Sequence, residues 1–243
     1  MTTSLPVVVP AAGLGSRLGP LTEKHAKELL PLGGQPVLHG ARLELDAAGI
    51  QDVVVVSSPR KPAVGAWASA RGYRVVEQPE PRGVFDAVAR ADLQTDRFVV
   101  LFPDFVHLPD QTALRTILER SAELPPEATV YGLLDKTPAS ATRLGPSAAV
   151  QGESRGGVVQ IERVGSATTV GPHTCFAELR GTEHSRRLQG GDDGIAALLQ
   201  GLADDGLLFG VPLPGDVLDV GIPAGYADAV ARFEDARAAW RSC

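Results

Sequence analysis

The chain predicts an α/β fold: a mostly parallel, mixed sheet sandwiched by helices, with a small β-rich extension. Two observations lead there. Short β-branched runs alternate with amphipathic segments from Leu5 to Ala122, and those runs are apolar throughout, as strands covered on both faces require. After Leu134 the pattern changes, and one β-like segment follows another without helices between them.

Taken in order, the strands are expected at Leu5–Val9, Val53–Val56, Arg74–Val76 and Phe98–Phe102. Between the first two, Leu38, Ala41, Leu45 and Ala48 recur at helical spacing, and Gly49 stops that helix. Pro62 opens the next helix and Gly72 closes it. Helices over Val84–Ala91 and Thr112–Ala122 complete the alternation. A strand at Ala128–Leu134 leads into the extension, with β-structure at Ala148–Val150, Gly157–Ile161 and Thr168–Ala177. A helix over Asp192–Ala203, strands at Leu207–Val211 and Val217–Val220, and a last helix from Ala224 to about Trp240 finish the chain, with Pro223 at that helix's start.

Composition narrows the function. With 243 residues, 44% of them hydrophobic, the chain can bury one full core, and no internal repeat or long linker divides it. A net charge of −6 argues against nucleic acid or an anionic membrane as the main partner, so any phosphate must be held by local cations. Cys175 and Cys243 suggest neither a metal cluster nor a disulfide framework. The first residues carry no basic leader, and the apolar runs are too short to span a bilayer, so a cytoplasmic location is expected. Self-association is left open.

The segment Val7–Leu32, VVVPAAGLGSRLGPLTEKHAKELLPL, carries the chemistry. A buried strand delivers a glycine turn to the carboxyl edge of the sheet, where ligands bind in open α/β folds. Gly13 and Gly15 let backbone N–H groups approach a phosphate, and Arg17 and Lys27 bring positive charge to the same place. A dinucleotide-binding turn needs a third glycine where Leu18 stands, and an acid after the second strand where Ser57 and Ser58 stand. A kinase-type loop needs Gly-Lys-Ser/Thr, which does not occur.

The spacing resembles the sugar-1-phosphate nucleotidyltransferase signature G-x-G-[ST]-R-L-x-P-x-T-x-x-x-x-K-x-L-L-P, on which Gly13, Gly15, Ser16, Arg17, Leu18, Pro20, Thr22, Lys27, Leu29, Leu30 and Pro31 fall. The resemblance implies a Rossmann-like, GT-A-like sheet in a single domain over 1–243, with an NTP-binding half (1–135) and a sugar-phosphate-binding half (136–243). It makes Ala12, Gly13, Leu14 and Gly15 the nucleotide-binding turn, with Arg17 and Lys27 catalytic. Asp104 in LFPD reads by itself as a turn cap. The family places a magnesium-binding Asp after such a strand, and Asp219 in LDVGIPAGY resembles its partner. The implied cofactor is therefore Mg²⁺. Asp216 competes for that role but precedes the strand and reads as a turn residue.

QPEPRGVFDAV, from Gln78, resembles Q-P-x-P-x-G-L-A-Q-A of the thymidylyl- and uridylyltransferase branch, which implies that Gln78 and Gly83 read a pyrimidine edge. Val84, Phe85 and Asp86 replace that branch's Leu, Ala and Gln. On the sugar side, Glu162 and Arg163 stand where the family has Glu-Lys-Pro, and Gly145 matches a glycine that contacts the sugar. If that strand is regular, Glu162 and Arg163 point to opposite faces, so both reach one phosphate only across a twist or bulge. The five histidines lack metal-ligand spacing and read as loop or surface residues. The hexapeptide repeats of some relatives are missing.

The activity so implied is transfer of a nucleoside monophosphate from an NTP, dTTP or UTP foremost, to a sugar 1-phosphate, with release of pyrophosphate. Competing readings are the same reaction with GTP or CTP on an unusual sugar phosphate, a GT-A-type glycosyltransferase, or a non-catalytic nucleotide-sugar-binding protein. A glycosyltransferase usually carries D-x-D, and Asp104 is followed by Phe105-Val106.

Overall fold

A computed structural model describes residues 5–108, 112–137, 140, 144, 148–165, 171–189, 195–213 and 215–235. The expected positions Gly145, Thr168, Asp192 and Trp240 lie outside the described residues.

The parallel half follows the sequence closely. Strand β1 (Val7–Pro10) leads through the glycine turn to a small hairpin, β2 (Pro31–Leu32) and β3 (Gln35–Pro36), and then to helix α1 (Leu38–Ala48). Gly49 ends α1 with a left-handed φ of 70°, donating to the Asp46 carbonyl while Ile50 N–H donates to Leu45. Only glycine takes this conformation without a Cβ penalty. Next come β4 (Val53–Ser57), α2 (Pro62–Ser69), β5 (Arg74–Glu77), α3 (Val84–Arg90) and β6 (Phe98–Leu101). Val7, Val8, Val54, Val56, Val99 and Val100 are fully buried, because helices cover both faces of these strands.

After β6 comes a short strand that the apolar pattern does not show, β7 (Phe105–Leu108). Then follow α4 (Ala113–Arg120), β8 (Thr129–Lys136), β9 (Ala149–Arg155), β10 (Val158–Gly165) and β11 (Gly171–Arg180). Helix α5 (Thr182–Gln189), also unexpected from sequence, precedes α6 (Ile195–Asp204), β12 (Leu208–Pro212), β13 (Asp216–Asp219) and α7 (Pro223–Asp235). Three arginine–carboxylate pairs involve α5, all with Arg186 or Arg187, so its support is largely electrostatic and leaves little apolar pattern to read.

One nine-stranded sheet joins both halves in the order β5-β4-β1-β6-β11-β8-β12-β10-β9. The extension is thus continuous with the main sheet and not merely packed beside it. Its hinge is β11, which returns antiparallel between β6 and β8, setting Ala177 opposite Leu101. A further pairing, His173 with Ala149, curls β9 back onto β11. Outside this sheet, β13 pairs antiparallel with β7, and Asp219 faces Phe105.

Four of the five histidines are buried, His39, His107, His173 and His184, contrary to a surface reading. His184 lies 3.0 Å from Glu178, and Arg180 pairs with the same carboxylate at 3.2 Å. Against the push of burial, Arg180 and His184 hold the Glu178 carboxyl down at about 2. Spacing alone could not reveal this, since the partners come from β11 and α5.

Candidate active site

The glycine turn leaves β1 at the carboxyl edge, where Ala11 N–H donates to the Val56 carbonyl. Ala12 is buried, whereas Gly13 and Leu14 are exposed. Gly15 takes a φ of 72° and starts a tight helical turn through Ser16–Thr22. Thr22 Oγ1 donates to the Gly15 and Gly19 carbonyls, at 3.2 and 3.1 Å, closing the loop on itself. Leu18 is buried and anchors the turn from below, so Arg17 is presented outward.

Asp104 and Asp219 are brought together by the β7–β13 ribbon. Val220 N–H donates to the Asp104 carbonyl at 2.8 Å, and Gly221 N–H to Asp219 Oδ1 at 2.8 Å. A Cβ added at Gly221 would stand 2.8 Å from Asp104 Oδ2, 3.0 Å from Asp219 Oδ1 and 3.5 Å from Arg17 Nη2. Two carboxylates and a guanidinium from three distant segments therefore converge where only glycine leaves room. Asp216 points away and pairs with Arg232 on α7.

Lys27 donates to Asp104 Oδ2 at 2.6 Å. Burial works against the Lys27 ammonium, but the charges of Asp104 and Glu28 outweigh it and hold its pKa above the ordinary value. Burial would push Asp104 up, yet Lys27 beside it keeps the carboxyl below its usual range. Behind this pair, Lys61 donates to both Glu28 oxygens, at 3.0 and 2.8 Å, and to the Ala11 carbonyl at 3.1 Å. Burial raises the pKa of Glu28 and lowers that of Lys61, so the two charges depend on each other. Sequence reading missed Glu28 and Lys61. Glu28 sits inside the signature, but nothing in the spacing marks its partner 33 residues away.

The donor set suits a hard divalent cation. Among the described residues no group of three or more His, Cys, Asp or Glu side chains gathers as a metal site. Two carboxylates fit Mg²⁺, which takes one or two and fills its octahedron with waters and substrate phosphates.

Gln78 follows β5 at the same edge, its N–H donating to the Ser57 carbonyl at 2.8 Å. It lies two strands from β1, roughly 10 Å at the backbone, a distance suited to a base at one end and phosphates at the other. Gly83 turns the chain with a φ of 90°. The residues expected on the sugar side are placed differently. Glu162 and Arg163 are exposed on β10, where the pairing with β9 slips between Ile161 and Arg163. Gln200 spans this bulge, donating to the Glu162 carbonyl at 2.9 Å and accepting from Val164 N–H at 3.1 Å. The shorter way from β10 to β6 runs through β9 and β11, three strands or roughly 14 Å. Gly145 lies outside the described residues.

A profile of the MobA-like NTP transferase domain matches residues 7–205. The chain belongs to that family. A UTP–glucose-1-phosphate uridylyltransferase of Streptococcus pneumoniae is 26% identical over 197 residues, covering 64% of this chain and 61% of that one. One from Bacillus subtilis is 26% identical over 167 residues, 53% of this chain and 57% of its own. The family member thus spans little more than half the length of these relatives. A CMP-5'-(3-aminopropyl)phosphonate synthase of Streptomyces rubellomurinus is 35% identical over 132 residues, 51% of this chain and 20% of that enzyme. Among solved structures, a UDP-glucose pyrophosphorylase complexed with UDP-glucose superposes with a TM-score of 0.82 at 17% identity, covering 96% of this chain and 99% of that one. A UTP-bound UGPase from Acinetobacter baumannii gives 0.78 at 18% identity, over 95% and 93%. These likenesses establish the shared α/β fold. Among the described residues no helix is long and apolar enough to cross a membrane.

Proposed function

We propose that this MobA-like domain transfers a nucleoside monophosphate from a pyrimidine NTP to a sugar 1-phosphate, releasing pyrophosphate. One observation carries the reading: Asp104, Asp219 and Arg17 converge at Gly221, beside the glycine turn. The chain acts as one unit, residues 1–135 holding the NTP and 136–243 the acceptor.

An acceptor phosphate oxygen attacks the α-phosphorus in line as the bond to the β-phosphate oxygen breaks, so the protein needs no nucleophile of its own. Its work is positioning and charge stabilisation. The turn Ala12–Gly15 would cradle the triphosphate with backbone N–H groups, and Arg17 would offset charge on the departing pyrophosphate. Lys27, now on Asp104, would turn to meet the α-phosphate. Asp104 and Asp219 would hold Mg²⁺, which supplies Lewis-acid neutralisation of phosphate charge. Glu162 and Arg163, across the bulge on β10, would meet the sugar phosphate.

UTP and dTTP are the donors suggested by the Gln78–Gly83 turn and by the uridylyltransferase relatives. The Streptomyces relative is named for a CMP product, which favours CTP as a second reading. Pyrophosphate release, measured for each NTP against a panel of sugar 1-phosphates with Mg²⁺, decides the matter. No release from any pair, with nucleotide binding intact, would leave a binding protein.

A further inference from the structure

The base-side turn is more specific than its resemblance implies. Gln78 is buried, and its Nε2 donates to the Gly83 carbonyl at 3.0 Å and to Asp86 Oδ2 at 2.7 Å. An amide nitrogen has two N–H groups, so both are spent within the turn. The opposite orientation would set Oε1 against a carbonyl and a carboxylate, two acceptors, so the amide has one sensible setting. Asp86 is fixed in turn by Arg90, at 2.8 Å from Nε and 3.3 Å from Nη2. The hydrogen bonds with Arg90, then with Gln78, keep the Asp86 carboxyl below its ordinary range and therefore ionised.

What remains for a ligand at Gln78 and Asp86 is acceptor capacity: Gln78 Oε1 and the carboxylate. Uracil and thymine present a carbonyl oxygen at the ring's 4-position, whereas cytosine presents an amino group there. Gln78 Oε1 can accept from the N3–H of uracil or thymine, but the neighbouring carbonyl then meets the Asp86 carboxylate with no amide donor left for it, whereas the two amino hydrogens of cytosine can serve both acceptors. We propose that Asp86 is a specificity-determining residue that commits Gln78 to an acceptor role and so selects CTP over UTP and dTTP. The inference rests on the nucleotidyltransferase reading, and it alters the donor without altering the reaction. A buried polar group left unpaired against the wrong base is expected to separate the two by roughly tenfold.

The experiment uses the full chain with Mg²⁺, and its first readout is binding of CTP, UTP and dTTP by titration calorimetry without acceptor. CTP should bind roughly tenfold tighter than either of the others. In D86A one Gln78 N–H is released, and the ratio should fall to near unity or reverse. Asp86 is a half-buried side chain on a short helix, so the variant should fold, which circular dichroism checks. Arg90→Ala frees Asp86 on one side but keeps the carboxylate that accepts from Gln78, so its ratio should stay much closer to the wild type than that of D86A. UTP or dTTP binding as tightly as CTP overturns the proposal, as does a ratio equal in wild type and D86A. An R90A shift as large as that of D86A would also overturn it, since loop order and not hydrogen bonding would then set the preference. Failure to bind any triphosphate would sink the reaction reading too, whereas tight UTP binding with pyrophosphate release would sink the base assignment alone.

Discussion

In the parallel half, β1, β4, β5 and β6 end together, and three pairs of charged groups at that edge hold one another: Lys27 with Asp104, Lys61 with Glu28, Asp86 with Arg90. In the mixed half, Glu162 and Arg163 stand exposed on β10, where Gln200 fastens only the backbone beneath them. The first arrangement is set before any ligand arrives; the second leaves its side chains to be ordered by one. Mutations should therefore act through transition-state geometry in the first half and through acceptor affinity in the second.

The largest expected effect is that of Asp104→Asn. Losing a charged oxygen from a two-carboxylate site should lower kcat by about 10³-fold, on the scale of removing a preorganised catalytic group. Asn keeps an oxygen for Lys27, so the thermal midpoint should move little. Near-normal turnover at saturating magnesium would reject Asp104 as a metal ligand. Gly221→Ala comes next. Its methyl would crowd Asp104 Oδ2 at 2.8 Å and Asp219 Oδ1 at 3.0 Å, and both must shift. A loss of about 10²-fold in kcat is expected, in line with misplacement of reacting groups by about an ångström. Unchanged kinetics would mean that the convergence has no catalytic weight.

The strand joining the halves offers a test of stability. The Glu178 carboxyl is held at about 2, below its unfolded value of about 4.3. A depressed pKa contributes stability present above the unfolded value and lost as pH falls through the folded one, here on the order of 3 kcal/mol. Urea midpoints measured between pH 6 and pH 2 should fall steeply in the wild type and less so in Glu178→Gln; identical slopes would show that the network carries no linkage. The smallest effect is expected from Arg163→Ala. It should raise KM for the sugar 1-phosphate several-fold and leave that for the NTP unchanged, as loss of one exposed phosphate contact does. Equal effects on both, or none, would make Arg163 a solvated strand residue.

What the sequence showed and what it hid divide along the same line. Buried valine runs and cap glycines report local backbone needs, so β1, β4 and α1 were legible within a residue or two. Val7–Leu32 was legible because a glycine turn and its cations are contiguous in sequence. The pairing of β7 with β13, the insertion of β11 and the Lys61–Glu28 pair are decisions of tertiary packing, and no local period encodes them. The buried histidines were misread for a related reason: a polar residue satisfied by a distant partner looks the same in sequence as one facing water. The bulge at Glu162, which the acceptor reading required, is present in the β10 pairing.

The β7–β13 ribbon also imposes a timetable. Asp104 is made while the parallel strands before it can already pair, but the strand that carries Asp219 lies 108 residues further along, measured by the Asp216–Leu108 partners. The family profile ends at residue 205, so the second carboxylate lies beyond the stretch that the profile matches. Contacts of such long separation form late. A nascent chain can thus build its glycine turn and most of its sheet before Asp219 exists, and the proposed phosphoryl chemistry would have to wait until β13 has closed onto β7.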